Sequence, residues 1–87
     1  MATLSRGDIL AGLKVILEEV AGVDPARVTE KASFAKDLDI DSLSMVEVAL
    51  AAEERFGVKI SDEKVSKLHR VKDVINFVAA AQAGAAG

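Results

Sequence analysis

The feature that most constrains the fold is an apolar pattern of helical period, which occurs in three separate stretches. The first pattern has the i, i+3, i+4 spacing of one helical face and comprises Ile9, Leu10, Leu13, Ile16, Leu17 and Val20. Ser5 precedes it and Gly22 follows it, so these residues predict the start and the stop of a first helix. A second helix is predicted over Ser42–Phe56, ended by Gly57. A last helix, to about Ala81, is marked by Val71, Val74, Ile75, Phe77 and Val78.

These segments predict one small all-α domain, a four-helix bundle with three main helices and one short helix. The short helix is predicted from a cap at Ser61 to about Leu68. The chain has 87 residues, one Pro and no Cys, so disulfides and thiolate metal sites are excluded. The core is predicted over about residues 5–81, with a flexible tail at 82–87 and a poorly capped start to the last helix.

A long connection, residues 24–41, separates the first two main helices. Asp24-Pro25 predicts a turn or a short helical start within it. A loop of this length in a compact domain is usually functional or pinned by its own side chains. The isolated apolar residues that we expect to pin it are Val28, Phe34, Leu38 and Ile40. Phe34 is predicted to be the strongest of these anchors.

Charge is distributed unevenly along the chain. Residues 37–63 carry eight acidic and two basic groups, whereas residues 64–87 carry four basic groups and one acidic group. The acidic middle would repel nucleic acid and attract basic protein surfaces. The basic residues Lys64, Lys67, Arg70 and Lys72 lack interleaved aromatics, which indicates a solvated face or a second docking patch. No long apolar run or leader pattern predicts a membrane span or a signal peptide, so we expect a cytoplasmic protein.

Asp37, Asp39 and Asp41 alternate along the chain just before Ser42, where the acidic segment becomes the second helix. A serine at that point is expected to be exposed. Nothing in the sequence places the single histidine, His69, beside it, and no G-x-S-x-G turn surrounds it. The pattern therefore indicates a serine to which a group is attached, not a nucleophile of an enzyme. His69 is expected to be an exposed loop residue.

The three aspartates resemble the start of a calcium-binding loop, but the remainder of that loop is missing. With Asp37 as position 1, position 6 should be Gly and is Ser42, and position 12 should be Glu and is Val48. No metal site is therefore predicted.

The second helix has two apolar faces. The predicted core face comprises Met45, Val48, Ala49, Ala52 and Phe56. The opposite face mixes apolar residues with carboxylates and comprises Leu43, Val46, Glu47, Leu50, Glu53 and Glu54. A partner-docking face explains this mixture better than the ordinary exposure of apolar residues in small domains.

The pattern Asp37-Leu38-x-x-Asp41-Ser42-Leu43-x-x-Val46-Glu47 resembles the prosthetic-group site of acyl carrier proteins. The resemblance extends from Ile9 to about Val78. It includes Phe34, Glu53-Glu54-x-Phe56 and Ile60-x-Asp62-Glu63. The residue sequence Asp-Ser-Leu-Ser-Met-Val-Glu-Val at positions 41–48 is most similar to that of carriers of discrete fatty-acid systems in high-GC Gram-positive bacteria.

The resemblance implies that Ser42 is esterified with 4′-phosphopantetheine from coenzyme A by a holo-acyl-carrier-protein synthase, a phosphopantetheinyl transferase. Asp41 would help to position Ser42. The terminal thiol of the arm would carry growing acyl chains as thioesters, and the chain itself would be a monomer and not an enzyme. The implied partners are the malonyl transacylase, ketosynthase, ketoreductase, dehydratase and enoyl reductase of a dissociated synthase.

The resemblance also implies two sets of contacts. The mixed face of the second helix would meet basic patches on partner enzymes. An acyl chain would be sheltered by residues at matching positions, namely Phe34, Met45, Val48, Ala49, Ala52, Ile60, Leu68, Val74 and Phe77. A close-packed core is the alternative for this second set. For the chain as a whole, the alternatives to fatty-acid synthesis are a polyketide or lipopeptide-starter carrier and an unmodified helical interaction module.

Overall fold

The computed structural model describes residues 4–85, and these form the predicted bundle of three main helices and one short helix. The first, α1, runs over Arg6–Ala21. Ser5 and Asp8 form a reciprocal capping box, in which the Asp8 N–H donates to Ser5 Oγ and the Ser5 N–H donates to Asp8 Oδ2, each at 3.1 Å. Gly22 ends the helix in the left-handed conformation at φ 67°. Both predicted ends of α1 are confirmed.

The second main helix, α2, runs over Ser42–Phe56, as predicted, and ends at Gly57. The short helix α3 is confined to Asp62–Val65, so its predicted extension to Leu68 is wrong. The Ser66 hydroxyl donates to the Glu63 carbonyl at 2.7 Å, and the Lys67 N–H donates to the carbonyl only three residues back. These bonds tighten the last turn and stop the α-helix.

The last helix, α4, runs over Val71–Ala85 and extends beyond the predicted end near Ala81. The Gln82 side chain accepts from the Leu4 N–H at 2.8 Å and donates to the Leu4 carbonyl at 3.3 Å, which ties this end to the start of the chain. The tail predicted at residues 82–87 is therefore helical through residue 85, and its last two residues lie outside the described part. At the start of α4, the Asp73 carboxylate reaches back and accepts from the N–H groups of His69 and Arg70, which precede the helix.

The long connection contains a single 3₁₀ turn, Pro25–Arg27, capped by Asp24. The four predicted anchors, Val28, Phe34, Leu38 and Ile40, are all buried, which confirms their role. The connection is also joined to the link before α4. There the Phe34 N–H donates to the His69 carbonyl and the Val71 N–H donates to the Ala32 carbonyl, each at 3.0 Å.

The core lies where α1, α2 and α4 meet, and it includes the predicted inner faces of these helices. Gly12 lets α1 approach α2 closely, because a Cβ at this position would lie 2.8 Å from the Phe56 ring. Phe56 is only half-buried, whereas Met45, Val48, Ala49 and Ala52 are buried. Among residues 4–85, no helix combines the length and the apolar content that a membrane crossing requires.

Candidate functional site

Ser42 is the first residue of α2, and its side chain is exposed. The preceding residue, Asp41, is the N-cap of this helix. Its Oδ1 accepts from the Ser44 N–H at 2.8 Å, and its carbonyl accepts from the Met45 N–H at 3.0 Å. These bonds fix the backbone on both sides of Ser42 and present its hydroxyl to solvent at the start of a helix.

Asp41 carries a negative charge beside Ser42 at neutral pH. The hydrogen bond from the Ser44 backbone, reinforced by its side chain, holds the pKa of the Asp41 carboxyl below its usual value. Desolvation acts against these bonds and raises the pKa of Asp41, and the Leu43 N–H has a smaller effect that lowers it. The helix start thus has a fixed anionic neighbour for whatever surface approaches the serine.

The other two aspartates of the acidic segment have separate positions. The Asp37 carboxylate accepts from the Ser33 N–H at 2.7 Å, and the Asp37 carbonyl accepts from the Arg27 guanidinium. Asp39 adopts the left-handed backbone conformation at φ 55°, which lets the chain turn into the helix. Within residues 4–85, no three side chains of ligating type are grouped in a way that would hold a metal ion.

A cleft of about 530 Å³ is lined in part by Ser42 and lies between α2, α3 and the long connection. Three residues of the predicted acyl-binding set line it, namely Phe34, Met45 and Leu68. Five others are buried in the core and do not line it: Val48, Ala49, Ala52, Ile60 and Val74. Phe77 lines a different, smaller groove, where Lys64 Nζ lies 5.3 Å from its ring centroid.

Sequence reasoning missed several residues that complete the cleft. Its further apolar lining comprises Ala35, Ile40, Val46 and Val65, and its polar lining comprises Ser33, Asp62, Ser66 and His69. The local sequence could have placed Val46 in the cleft, since Val46 lies four residues after Ser42 and therefore on the same side of α2. The local sequence could not have placed His69 there, because only the pairing of the long connection with the link before α4 brings it to the cleft.

His69 is exposed, as predicted, but it lines the same cleft as Ser42, which the sequence did not predict. Among residues 4–85, no hydrogen bond joins the two side chains, and the Ser42 hydroxyl has no orienting partner. The arrangement lacks the linked base that a serine nucleophile of an enzyme requires. It presents Ser42 as an accessible hydroxyl at the start of a helix.

The mixed face of α2 projects from the fold. Leu43 is 73% exposed, Val46 41% and Leu50 56%, and Glu47 and Glu54 are exposed beside them. We call these five residues the docking face. Large apolar side chains this exposed on one helix, among carboxylates, form a surface suited to a partner with apolar contacts and positive charge.

Glu53 differs from the other predicted docking residues because it is half-buried. Its Oε2 accepts from the Ile60 N–H at 2.6 Å. This bond ties the end of α2 to the segment before α3, so the Glu53 carboxylate has a structural role in the free protein.

Comparison with known proteins identifies the family. A family profile described as "Phosphopantetheine attachment site" matches residues 11–78. The chain is 54% identical over 74 residues to an acyl carrier protein of Thermobifida fusca, a match that covers 85% of this chain and 94% of that protein. It is 50% identical over 82 residues to an acyl carrier protein of Acidothermus cellulolyticus, a match that covers 94% of this chain and 98% of that protein.

A meromycolate extension acyl carrier protein of Mycolicibacterium smegmatis is 52% identical over 74 residues, with 85% of this chain and 75% of that protein covered. The chain therefore belongs to the acyl carrier protein family, and its cofactor is 4′-phosphopantetheine. The resemblance to carriers of high-GC Gram-positive bacteria is confirmed by these relatives. Members of this family are carriers on which other enzymes act.

Proposed function

We propose that Ser42 Oγ is the attachment point of 4′-phosphopantetheine and that the chain carries acyl groups as thioesters on this arm during fatty acid synthesis. The observation that carries the proposal is the position of Ser42, exposed at the start of α2 and on the wall of the cleft. The arm would supply the thiol that a chain without cysteine lacks. An adjacent cleft with mainly apolar walls suits a tethered acyl chain.

Attachment requires Ser42 Oγ to attack the phosphorus of coenzyme A that bears the pantetheine. A P–O bond forms, the pyrophosphate bond breaks, and adenosine 3′,5′-bisphosphate leaves. The hydroxyl proton goes to a base of the transferase, because no residue among 4–85 hydrogen-bonds to Ser42 Oγ. The role of Asp41 is to hold the turn and to present a negative charge to the basic surface of that enzyme.

The docking face supports brief contacts with many enzymes. Its exposed carboxylates, Glu47 and Glu54, speed encounter with basic surfaces, and its apolar residues give the contact area once the partners meet. We assign to this face the phosphopantetheinyl transferase and the transacylase, ketosynthase, ketoreductase, dehydratase and enoyl reductase of a dissociated synthase. Glu53 remains part of the proposed surface through its position next to Glu54.

The names of the relatives favour fatty-acid synthesis over other pathways. Two of them are acyl carrier proteins without further qualification, and others serve meromycolate extension by name. A polyketide or lipopeptide-starter carrier would use the same attachment chemistry, so the loading reaction does not separate the pathways. Turnover with elongation enzymes of each type separates them.

The attachment is tested by incubating the protein with coenzyme A, Mg²⁺ and a phosphopantetheinyl transferase, followed by intact mass measurement. The wild type should gain one phosphopantetheinyl group, and Ser42→Ala should gain none. The matched control is Ser44→Ala, one residue beyond Leu43 on the same helix turn, which should still be loaded. A wild type without a mass gain, or a gain that persists in Ser42→Ala, would refute the assignment.

A further inference from the structure

The backbone of His69 is held in place on both sides. Its N–H donates to Asp73 Oδ2 at 3.0 Å, and its carbonyl accepts from the Phe34 N–H at 3.0 Å. The next residue, Arg70, donates from its guanidinium to the Lys31 carbonyl at 2.6 Å. Because these bonds fix the residue to α4 and to the long connection, the imidazole extends from a well-defined point on the cleft wall.

The imidazole of His69 is exposed and lines the same cleft as Ser42. Its ring makes no hydrogen bond with any residue of the described part of the chain. An imidazole ring has at least one N–H donor in both its neutral and its cationic form. His69 therefore brings a free hydrogen-bond donor to the cleft.

Two of the other polar side chains of the cleft, those of Ser66 and Asp62, are poorly suited to donate. The Ser66 hydroxyl already donates to the Glu63 carbonyl at 2.7 Å. Ser33 Oγ accepts from the Lys36 N–H at 3.2 Å but keeps its own O–H, and the Asp62 carboxylate can only accept. Ser33 and His69 can therefore both donate to a ligand oxygen in this cleft, and His69 is the more exposed of the two.

We propose that His69 donates a hydrogen bond to an oxygen of the prosthetic arm when the arm and its cargo lie in the cleft. This inference rests on the proposed attachment at Ser42. From Ser42 outward the arm presents phosphodiester oxygens and then amide carbonyls, and both are acceptors. The hydrogen bond adds a polar contact to the burial of the acyl chain against Phe34, Met45 and Leu68. His69 is thus a positioning residue that favours the sheltered state of the cargo.

The first measurement uses the fact that the chain has one histidine, so its ring signals in a nitrogen–proton correlation spectrum belong to His69. These signals should shift when the apo protein is converted to the form whose arm carries an octanoyl thioester. The source of the acceptor is separated by two probes on the arm. A ³¹P signal that differs between wild type and His69→Leu identifies the phosphodiester, whereas altered amide signals of a ¹⁵N-labelled arm identify an amide carbonyl.

The second measurement is the rate at which hydroxylamine cleaves an octanoyl thioester on the arm. Loss of one hydrogen bond in His69→Leu should raise this rate by about fivefold. His69→Gln retains an N–H donor and should stay within about twofold of the wild type. Lys67→Leu introduces the same apolar residue on the same link but outside this cleft, and it should leave the rate unchanged.

The proposal is supported only if the ring signals shift on loading and His69→Leu alone raises the cleavage rate. Unmoved ring signals, or a rate in His69→Leu equal to that of Lys67→Leu, would overturn it. Failure of the proposed function is distinguishable, because the protein would then show no mass gain with coenzyme A. A loaded protein with an unaffected His69 refutes the hydrogen bond alone.

Discussion

Gly12 lies where α1 packs against the end of α2, and its replacement by alanine tests how tightly these helices meet. The added Cβ would lie 2.8 Å from two atoms of the Phe56 ring and 2.9 Å from Arg55 Nε. Arg55 can move aside, but the Phe56 ring belongs to the packed end of α2. The higher helix propensity of alanine partly offsets the cost of this clash, and it is worth about 1 kcal/mol in a helix interior.

The expected net effect of Gly12→Ala is a loss of about 1 kcal/mol in the free energy of unfolding, because overpacking costs about 1–3 kcal/mol. In a domain of this size, 1 kcal/mol corresponds to a fall of roughly 5 °C in Tm. The matched control is Gly7→Ala, where the nearest atom to the added Cβ, Ser5 Oγ, lies at 3.8 Å. That variant should gain about 0.5 kcal/mol from helix propensity alone.

Urea unfolding followed by circular dichroism gives both free energies from one assay. The informative quantity is the difference between the two variants, which should be about 1.5 kcal/mol in favour of Gly7→Ala. Equal stability of the two variants would refute the close approach of α1 and α2 at Phe56. A stabilised Gly12→Ala would show that the ring moves aside without cost.

Three further predictions concern α2 and the acidic segment that precedes it. Glu47→Lys combined with Glu54→Lys should lower kcat/KM with the ketosynthase that we propose as a partner by about tenfold at low salt and less at high salt, whereas Glu19→Lys on α1 should not. Asp39 has a positive φ, so Asp39→Gly should raise the free energy of unfolding by about 0.5 kcal/mol and Asp39→Val should lower it by about 1–2 kcal/mol. Urea titrations measure both values, and equal effects of the two substitutions would contradict that backbone conformation. The pKa of Asp41 is lower in the folded protein than in the unfolded chain. The stability that its carboxylate contributes is therefore fully present above the unfolded pKa and is lost as the pH falls through the folded pKa. The urea midpoint should therefore fall more in acid for the wild type than for Asp41→Asn, and parallel pH profiles would contradict this.

The helix ends were predictable from the sequence wherever a single residue determines the end. Ser5 provides a side-chain cap, and Gly22 and Gly57 both adopt the left-handed conformation at φ 67°. The exposed serine at the start of α2 was predictable for the same reason. These signals are local, so the chain near each residue is sufficient to interpret them.

Features that depend on tertiary pairing were not predictable. The helical wheel groups Glu53 with the exposed carboxylates, but the segment after Gly57 turns back and brings the Ile60 N–H to it. Likewise, nothing near His69 in the sequence indicates the cleft, which it reaches through the bridge between Ser33 and Arg70. The core face of α2 was predicted correctly, yet periodicity could not separate core residues such as Val48 from cleft residues such as Met45.

The bridge between the long connection and the link before α4 has a mechanical consequence for the cleft. Backbone hydrogen bonds join Phe34 to His69 and Ala32 to Val71, so the long connection and the link before α4 form one rigid corner of the cleft. Another wall of the cleft is α3, a helix of four residues that is too short to be stable by itself. Displacement of α3 is therefore the least costly way to enlarge the cleft. Under the proposed function, the compliance of this single helical turn sets the range of acyl chain lengths that the cleft can accept.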